Sequence, residues 1–282
     1  MPLVSIIMAA KNEASHIGEA IESVLRQTYD HWELIVIDDH SSDRTPEVVR
    51  SFHHPRVLLY RERTSEPGGL AFSRNLGAQL AHGTLIAYQD ADDYSWPSRI
   101  ERQVAEALAG ERPRAVGTWV EQRTAASSRV CQFPVGHEQI VAGFLRRYNR
   151  VTIVGGTTLL PRSVAQAIPL RLRFKYLQDW DQLCRIYESG MVEFRNVPEV
   201  LYVYNVSPKG AKAQKDWTWY NIFERACRAR RRTGLPEWLS LEQFREHLAR
   251  SPRDFLFWQS LRQLLRLKVS VEMRLADPSP GF

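Results

Sequence analysis

Cysteine is scarce in this chain of 282 residues. Cys131, Cys184 and Cys227 are odd in number, far apart and never in a CxxC pair. That spacing argues against a disulfide framework and a zinc cage, and favours a reducing compartment. None of the eight histidines falls in an HExxH arrangement, so a zinc hydrolase helix is not expected. No G-x-G-x-x-G follows the first apolar segment, which disfavours a dinucleotide dehydrogenase. No run of about 18 apolar residues occurs, so no membrane-spanning helix is expected. The opening Met1-Pro2-Leu3-Val4-Ser5 has no basic stretch before an apolar one, and reads as a first strand rather than a signal peptide. Internal repeats and low-complexity linkers are also lacking. These absences lead to an expectation of a cytoplasmic protein.

What remains is an ordinary globular composition, 44% hydrophobic and 25% charged, long enough to bury a sizeable core unaided. The formal net charge of +6 is compatible with nucleic acid, anionic lipid or phosphorylated ligands, and equally with an unspecialised basic surface.

The first 120 residues alternate between two periodicities. Val4 to Ala9, Leu34 to Ile37, Val57 to Tyr60 and Leu85 to Tyr88 are short apolar runs suited to buried strands. Between them, Ile17, Ala20, Ile21, Val24 and Leu25 repeat at helical spacing behind a capping Ser15. Thr45 as a cap, with Pro46 at the first helical position, opens a second helix through Val49, and residues 71 to 81 form a third, stopped at Gly83. Ile100, Val104 and Leu108 mark a fourth, ending at Gly110. Such alternation predicts an α/β fold with a mostly parallel central sheet and helices on both faces. Beyond Gly117 the pattern loosens. Strands are expected over 115 to 120 and 151 to 160, helices over 163 to 167 and 179 to 187, and extended chain from Val197 to Tyr204. After Trp217 the chain becomes helical and arginine-rich.

Ligands of an open parallel sheet bind beyond the carboxyl ends of its strands. Acidic clusters stand at two of those ends: Asp38-Asp39 after the second strand, and Asp90-Ala91-Asp92-Asp93 after the fourth. Crowded like charges are costly unless a cation or hydrogen-bond donors neutralise them. Acids also cap helices and turns, which accounts for Asp43 or Asp93 but less well for both clusters. In extended chain, residues two apart face the same side, so Asp90 and Asp92 can address one ligand. Hard oxygens suit Mg²⁺ or Mn²⁺, whose shell a diphosphate and water would complete.

The ordered set of segments is more specific than any one of them. Pro2-x-Val4-Ser5-Ile6-Ile7, Asn12-Glu13, Ser23-Val24-Leu25-x-Gln27-Thr28-Tyr29 and Glu33 through Asp39 occur in sequence. Ser41-x-Asp43-x-Thr45, Ser73-Arg74-Asn75-x-Gly77 and Asp90-Ala91-Asp92-Asp93-x-x-x-Pro97-x-Arg99 follow. This closely resembles the family 2 inverting glycosyltransferases of GT-A fold, strongly over residues 2 to 105 and more weakly to about 205. The resemblance implies a metal-dependent enzyme that moves a sugar from a nucleotide diphosphate sugar, UDP-linked by family habit, to an acceptor hydroxyl with inversion. It places the donor among Ala9, Asn12, Asp38, Asp39, Arg74, Asp90 and Ala91. Asp39 matches the aspartate that accepts a hydrogen bond from the base, and Arg74 an arginine near the nucleotide. Asp90 and Asp92 match the ligands of a Mn²⁺ or Mg²⁺ ion, Asp92 being the principal one. The loop Glu66-Pro67-Gly68-Gly69 would approach the donor closely.

Inversion needs a carboxylate to take the acceptor's proton. The segment matching the family's base is Gln178-Asp179-Trp180-Asp181-x-x-x-x-Arg185, which makes Asp179 the catalytic base, with Asp181 its rival. Read without the family, Asp179 is a helix N-terminal acid favoured by the dipole. The chain departs from the family at Lys11, where an aromatic is usual, at Gln178, in place of glutamate, and at Tyr202-Val203-Tyr204-Asn205, in place of Tyr-Arg-x-His. Lys209, Lys212 and Lys215 follow, as a lid over the diphosphate or as a solvated loop. Gly155-Gly156-Thr157-Thr158 resembles the family's acceptor-side segment, or is a turn.

The expected organisation is a catalytic domain over residues 1–215, with a nucleotide-binding half (1–110) and an acceptor half (111–215), and a helical C-terminal extension over 216–282. In that extension Phe255, Leu256, Trp258, Leu261, Leu264, Leu265 and Leu267 interleave with Arg262, Arg266 and Lys268. The stretch suits a helix lying on the inner face of an anionic membrane, where a lipid-linked acceptor would be met, or a packed helix. The acceptor is left open between a lipid-linked sugar, a polysaccharide and a protein, within cell-surface polysaccharide or glycoconjugate synthesis. Two rivals remain. A nucleotidyltransferase would need a glycine-rich basic loop where Met8-Ala9-Ala10-Lys11-Asn12 stands. A nucleic-acid binder would rely on Arg228 to Arg232 and leave the aspartate clusters unexplained; nucleic acid is not an expected partner.

Overall fold

The structure, a computed structural model, describes residues 1–61, 67–145, 152–206 and 217–250. Glu66, the lysines at 209, 212 and 215, and the amphipathic stretch from Phe255 to Lys268 lie outside the described residues. The chain divides into two units. The first comprises Met1–Arg123, Ser128–Leu170 and Gln182–Asn205; the second comprises Thr124–Ser127, Arg171–Asp181 and the chain from Val206 onward.

The first unit is built on one sheet. Its strands are β1 (Val4–Ala10), β2 (Trp32–Asp38), β3 (Val57–Arg61), β4 (Leu85–Asp90), β5 (Tyr94–Ser95), β6 (Arg114–Arg123), β7 (Ser128–Cys131), β8 (Leu159–Pro161) and β9 (Glu193–Asn205). Among the described residues their order is β3-β2-β1-β4-β8-β6-β9-β5, with β7 added to β6. β3, β2, β1 and β4 are parallel throughout. β8 then runs antiparallel to both β4 and β6, while β6 and β9 pair in parallel. The strands β1, β2 and β4 read as largely apolar runs because helices cover both their faces. β3, at the edge, is only half-buried.

The helices are α1 (Ile17–Leu25), α2 (Thr45–Ser51), α3 (Gly69–Leu80), α4 (Arg99–Leu108), α5 (His137–Leu145), α6 (Arg162–Ala167) and α7 (Gln178–Ser189), then α8 (Trp217–Arg232) and α9 (Leu241–Arg250). Ile17, Ala20, Ile21 and Val24 form the buried face of α1 and join Val4, Ile6 and Met8 of β1 in the core. Each of the isoleucine, valine and methionine side chains contributes about 1.5–3 kcal/mol by leaving water. This mixed α/β architecture is the one the alternating periodicity predicts.

Three local expectations change. Ser15 does not cap α1, whose first turn follows His16 without a side-chain cap; the Ser15 hydroxyl lies instead 3.1 Å from His16 Nδ1. Thr45 is the first residue of α2, and its N–H donates to Asp43 Oδ1 at 3.0 Å, so Asp43 serves as the capping acceptor. The strand expected over 151 to 160 shrinks to Leu159–Pro161, because Gly155–Thr157 winds into a 3₁₀ turn.

The second unit has its own core. Phe174, 1% exposed, packs with Phe223 of α8 and Phe244 of α9, at ring separations of 5.1 Å to the first and 5.8 Å between the other two. The segment Arg171–Asp181 thereby joins the C-terminal helices rather than its sequence neighbours.

Candidate active site

The carboxyl ends of β1, β2 and β4 lie side by side, with Ala9 between Ile37 and Asp90, and Ala10 beside Asp38. Parallel register alone therefore brings both acidic clusters to one edge of the sheet.

On the β2 side the two aspartates separate. Asp38 is fully buried and accepts from Arg61 Nε at 3.0 Å, while its Oδ1 has no hydrogen-bond partner among the described residues. Asp39 Oδ1 accepts the Gly68 N–H at 2.9 Å, and Oδ2 the Gly69 N–H at 3.1 Å. Gly69 has φ +76°, the left-handed region that lets two consecutive amides face one carboxylate. A carboxylate offers about four lone-pair sites, so Asp39 retains capacity for a further donor such as a base N–H. Lys11, standing where the family has an aromatic, brings Nζ to 3.6 Å of Asp39 Oδ2. Asn12 knits the two loops together: its Oδ1 accepts the Ser42 N–H and its own N–H donates to Ser41 Oγ, each at 2.8 Å. Its φ of 57° places it in the left-handed region that asparagine tolerates.

On the β4 side, Arg74 of α3, 2% exposed, donates to Asp90 Oδ1 at 2.5 Å. Asp90 N–H donates to Tyr202 Oη at 3.1 Å. A Cβ on Gly156 would stand 2.6 Å from Asp90 Oδ2 and 2.8 Å from Tyr202 Oη, so only glycine fits there. The Ala91 side chain, 4% exposed, belongs to the core, leaving its backbone as the part that can meet a ligand. Asp92 is pushed up to about 6, first by burial and then by the like charges of Asp90 and Glu13. Burial, then Asp90 and Asp92, holds Asp93 well above the usual carboxylate range.

Several contributors were not singled out as site residues from sequence. Arg99 is fully buried beneath the turn and donates to Gln89 Oε1, Ser95 Oγ, the Tyr88 carbonyl and the Gly156 carbonyl at 2.7–3.1 Å. Burial draws its pKa down to about 10, against the opposing influence of Tyr202, Asp90 and Asp93. Asn205, at the position of the family's histidine, donates its amide N–H to Asp93 Oδ1 at 2.8 Å and its Nδ2 to the Asp92 carbonyl at 2.6 Å. Glu13 enters through its charge on Asp92. Glu13 and Arg99 belong to the ordered motifs, and Asn205 ends the segment that departs from the family's Tyr-Arg-x-His; those positions were the available signals.

Among the described residues no three His, Cys, Asp or Glu side chains gather closely enough to hold a metal ion by themselves. The repulsion between Asp90, Asp92 and Glu13 nonetheless fits a cation that takes one or two carboxylates from the protein and the rest of its shell from phosphate and water.

The sequence-selected base lies in the second unit. Asp179, half-buried, is the second residue of α7, and its Oδ1 accepts the Trp180 N–H at 2.8 Å. Gln178 turns back to donate to the Lys175 carbonyl at 2.7 Å. Asp181 is fully buried, with Oδ2 3.7 Å from Arg171 Nε and Oδ1 4.0 Å from Arg231 Nη1.

Among solved structures, the chain is similar to S. aureus TarS in complex with UDP, with a TM-score of 0.57 and 18% identity over 78% of this chain and 64% of that one. It is also similar to the mannosyltransferase PcManGT of Pyrobaculum calidifontis in complex with GDP-Man and Mn²⁺, with a TM-score of 0.59 and 19% identity over 98% of this chain and 81% of that one. These likenesses show a GT-A-type fold. In sequence, the chain is 41% identical over 106 residues to the E. coli UDP-Glc:α-D-GlcNAc-diphosphoundecaprenol β-1,3-glucosyltransferase WfgD, covering 38% of this chain and 41% of WfgD. It is 40% identical over 117 residues to the succinoglycan biosynthesis protein ExoO of Rhizobium meliloti, covering 41% and 33%. The matched segment thus spans well under half of the length of these relatives. The sequence pattern of glycosyl transferase family 2 matches residues 5–166, more than half of the chain, and the chain belongs to that family.

Proposed function

We propose that the protein transfers a sugar from a nucleotide diphosphate sugar to an acceptor hydroxyl with inversion, in the assembly of a cell-surface polysaccharide or glycoconjugate. The observation that carries this reading is the meeting of Asp39, Arg74, Asp90 and Asp92 at one sheet edge within a family 2 chain. The glucosyltransferase WfgD, which takes UDP-Glc, and the UDP-bound TarS favour a UDP-linked donor, and WfgD favours a lipid-diphosphate-linked sugar as acceptor.

In this reading residues 1–215 carry the catalysis and 216–282 form a helical extension. Asp39 accepts an N–H of the base. Arg74 fixes the direction of Asp90, and Asp90 with Asp92 would hold a Mn²⁺ or Mg²⁺ ion. Bound there, such an ion would offset negative charge developing on the leaving phosphate. Asp179 takes the acceptor's proton as its oxygen bonds to the anomeric carbon and the nucleoside diphosphate leaves from the opposite face. A lipid-linked acceptor would bring the protein to the inner face of the membrane, although no described helix is long and apolar enough to cross one.

The test is a panel of UDP-, GDP- and dTDP-sugars with Mn²⁺, Mg²⁺ or chelator, read by nucleotide release and by thermal shift. Release with a UDP-sugar, stimulated by a lipid-diphosphate N-acetylglucosamine acceptor, is expected. Neither binding nor turnover with any donor would sink the transferase reading.

A further inference from the structure

The segment that carries Asp179 is not held by its neighbours in sequence. Arg171 grips Glu237, sixty-six residues away, in a two-pronged pair, with Nη1 to Oε2 at 2.5 Å and Nη2 to Oε1 at 3.0 Å. Arg173 adds a bond to Glu237 Oε2 at 2.5 Å and another to the Trp238 carbonyl at 2.8 Å. Arg231 of α8 completes the arrangement, 3.1 Å from Glu237 Oε1 and 4.0 Å from Asp181 Oδ1. Arg171 also reaches Asp181, at 3.7 Å. The cluster thus bridges from the loop between α8 and α9 to the first turn of α7. Forked guanidinium–carboxylate pairs fix angle as well as distance. Burial would raise Glu237's pKa, but hydrogen bonds from Arg171 and the charges of Arg171 and Arg231 outweigh it and hold the group below its ordinary range.

A second observation is independent of the charges. Leu177, immediately before Gln178-Asp179, has φ +64°. A bulky residue in the left-handed region is strained, and such strain persists only where the surroundings over-determine it. Here Phe174 is locked in the core of α8 and α9, and Tyr176 packs edge-on to Tyr220 at 5.5 Å. Clamps therefore sit on the approach to the strained residue and, through Asp181, just beyond it.

We infer that Arg171 and Glu237 are positioning residues: through the turn at Leu177 they hold Asp179 at the angle its proton transfer requires, and α8 and α9 are the frame that supplies this hold. The inference rests on Asp179 being the base. It gives the C-terminal helices a part in the chemical step without any contact with the reacting atoms.

The experiment uses the full chain and the nucleotide sugar that the wild type turns over. Arg171→Gln removes the fork but leaves Glu237 with Arg173 and Arg231. Turnover should fall about 10- to 100-fold, the cost of a misplaced reacting group, while donor KM and UDP affinity stay within about twofold. Arg171→Lys, which keeps the charge and one donor, should fall between. If Arg171→Gln does not fold, Arg171→Lys carries the same comparison. Unchanged turnover, or turnover and UDP affinity falling together, overturns the inference. Asp179→Asn, run in parallel, separates the two readings. If Asp179→Asn transfers normally, the base assignment fails and the inference with it. If Asp179→Asn is inactive and Arg171→Gln is normal, only the positioning role fails.

Discussion

Arg74 lies over the ring of Tyr88, with its guanidinium carbon 4.7 Å from the centroid, and from there donates to Asp90 Oδ1 at 2.5 Å. The guanidinium is buried and the carboxylate partly open, with side-chain exposures of 3% and 28%. The pair is therefore an anchored cation aiming a reachable anion. Arg74→Gln should destabilise the protein by about 2 kcal/mol, less than a fully buried pair because water reaches Asp90. UDP affinity should fall with it. Urea unfolding and calorimetric titration with UDP check both.

Asp92→Asn removes one charge from the crowded turn while keeping its shape. The part of UDP affinity that depends on Mn²⁺ should disappear, and the part measured in chelator should remain. Retention of a Mn²⁺ effect in the variant would remove Asp92 from the proposed ligand pair.

Gly156→Ala would place a methyl group against Asp90 and Tyr202. Overpacking of this kind costs about 1–3 kcal/mol. Because Asp90 is one of the proposed metal ligands, kcat/KM should fall by more than the loss of stability explains. Parallel thermal unfolding and donor kinetics separate the two effects.

Glu224 of α8 is fully buried, and neither oxygen has a hydrogen-bond partner among the described residues. Burial pushes its pKa up to about 6, against the opposing charge of Arg228, with Asp181 adding to the rise. The folded form therefore holds the proton more tightly than the unfolded chain. Stability from this group is present below the unfolded value of about 4.5 and is lost as pH rises through about 6. At pH 7.5 the loss is on the order of 2 kcal/mol. Glu224→Gln should accordingly be more stable than the wild type at pH 7.5, with the advantage vanishing near pH 4, as read by urea titrations at both pH values.

Much of the first unit was legible because of how parallel strands are buried. Strands covered on both faces are mostly apolar, so β1, β2 and β4 stand out as near-continuous runs, and the helices between them show a 3.6-residue rhythm. The extent of β8 was less legible: a strand was expected over 151 to 160, but a three-residue strand behind two glycines carries no period to mark its start. The roles of Arg99 and Asn205 were hidden for a different reason. An arginine or asparagine in sequence does not say whether its donors point to water or to a buried turn.

By itself, the order of residues determined the α/β class, the family and the two acidic clusters, because these depend on neighbours a few positions apart. Tertiary structure alone decided that Asp38 turns to Arg61 while Asp39 meets the Gly68 and Gly69 amides. It also decided that Asp181 is sealed among arginines and that the turn bearing Asp179 belongs with α8 and α9. The bonds responsible join residues as far apart as Arg171 and Glu237, and contacts at that separation leave no local periodicity in the chain.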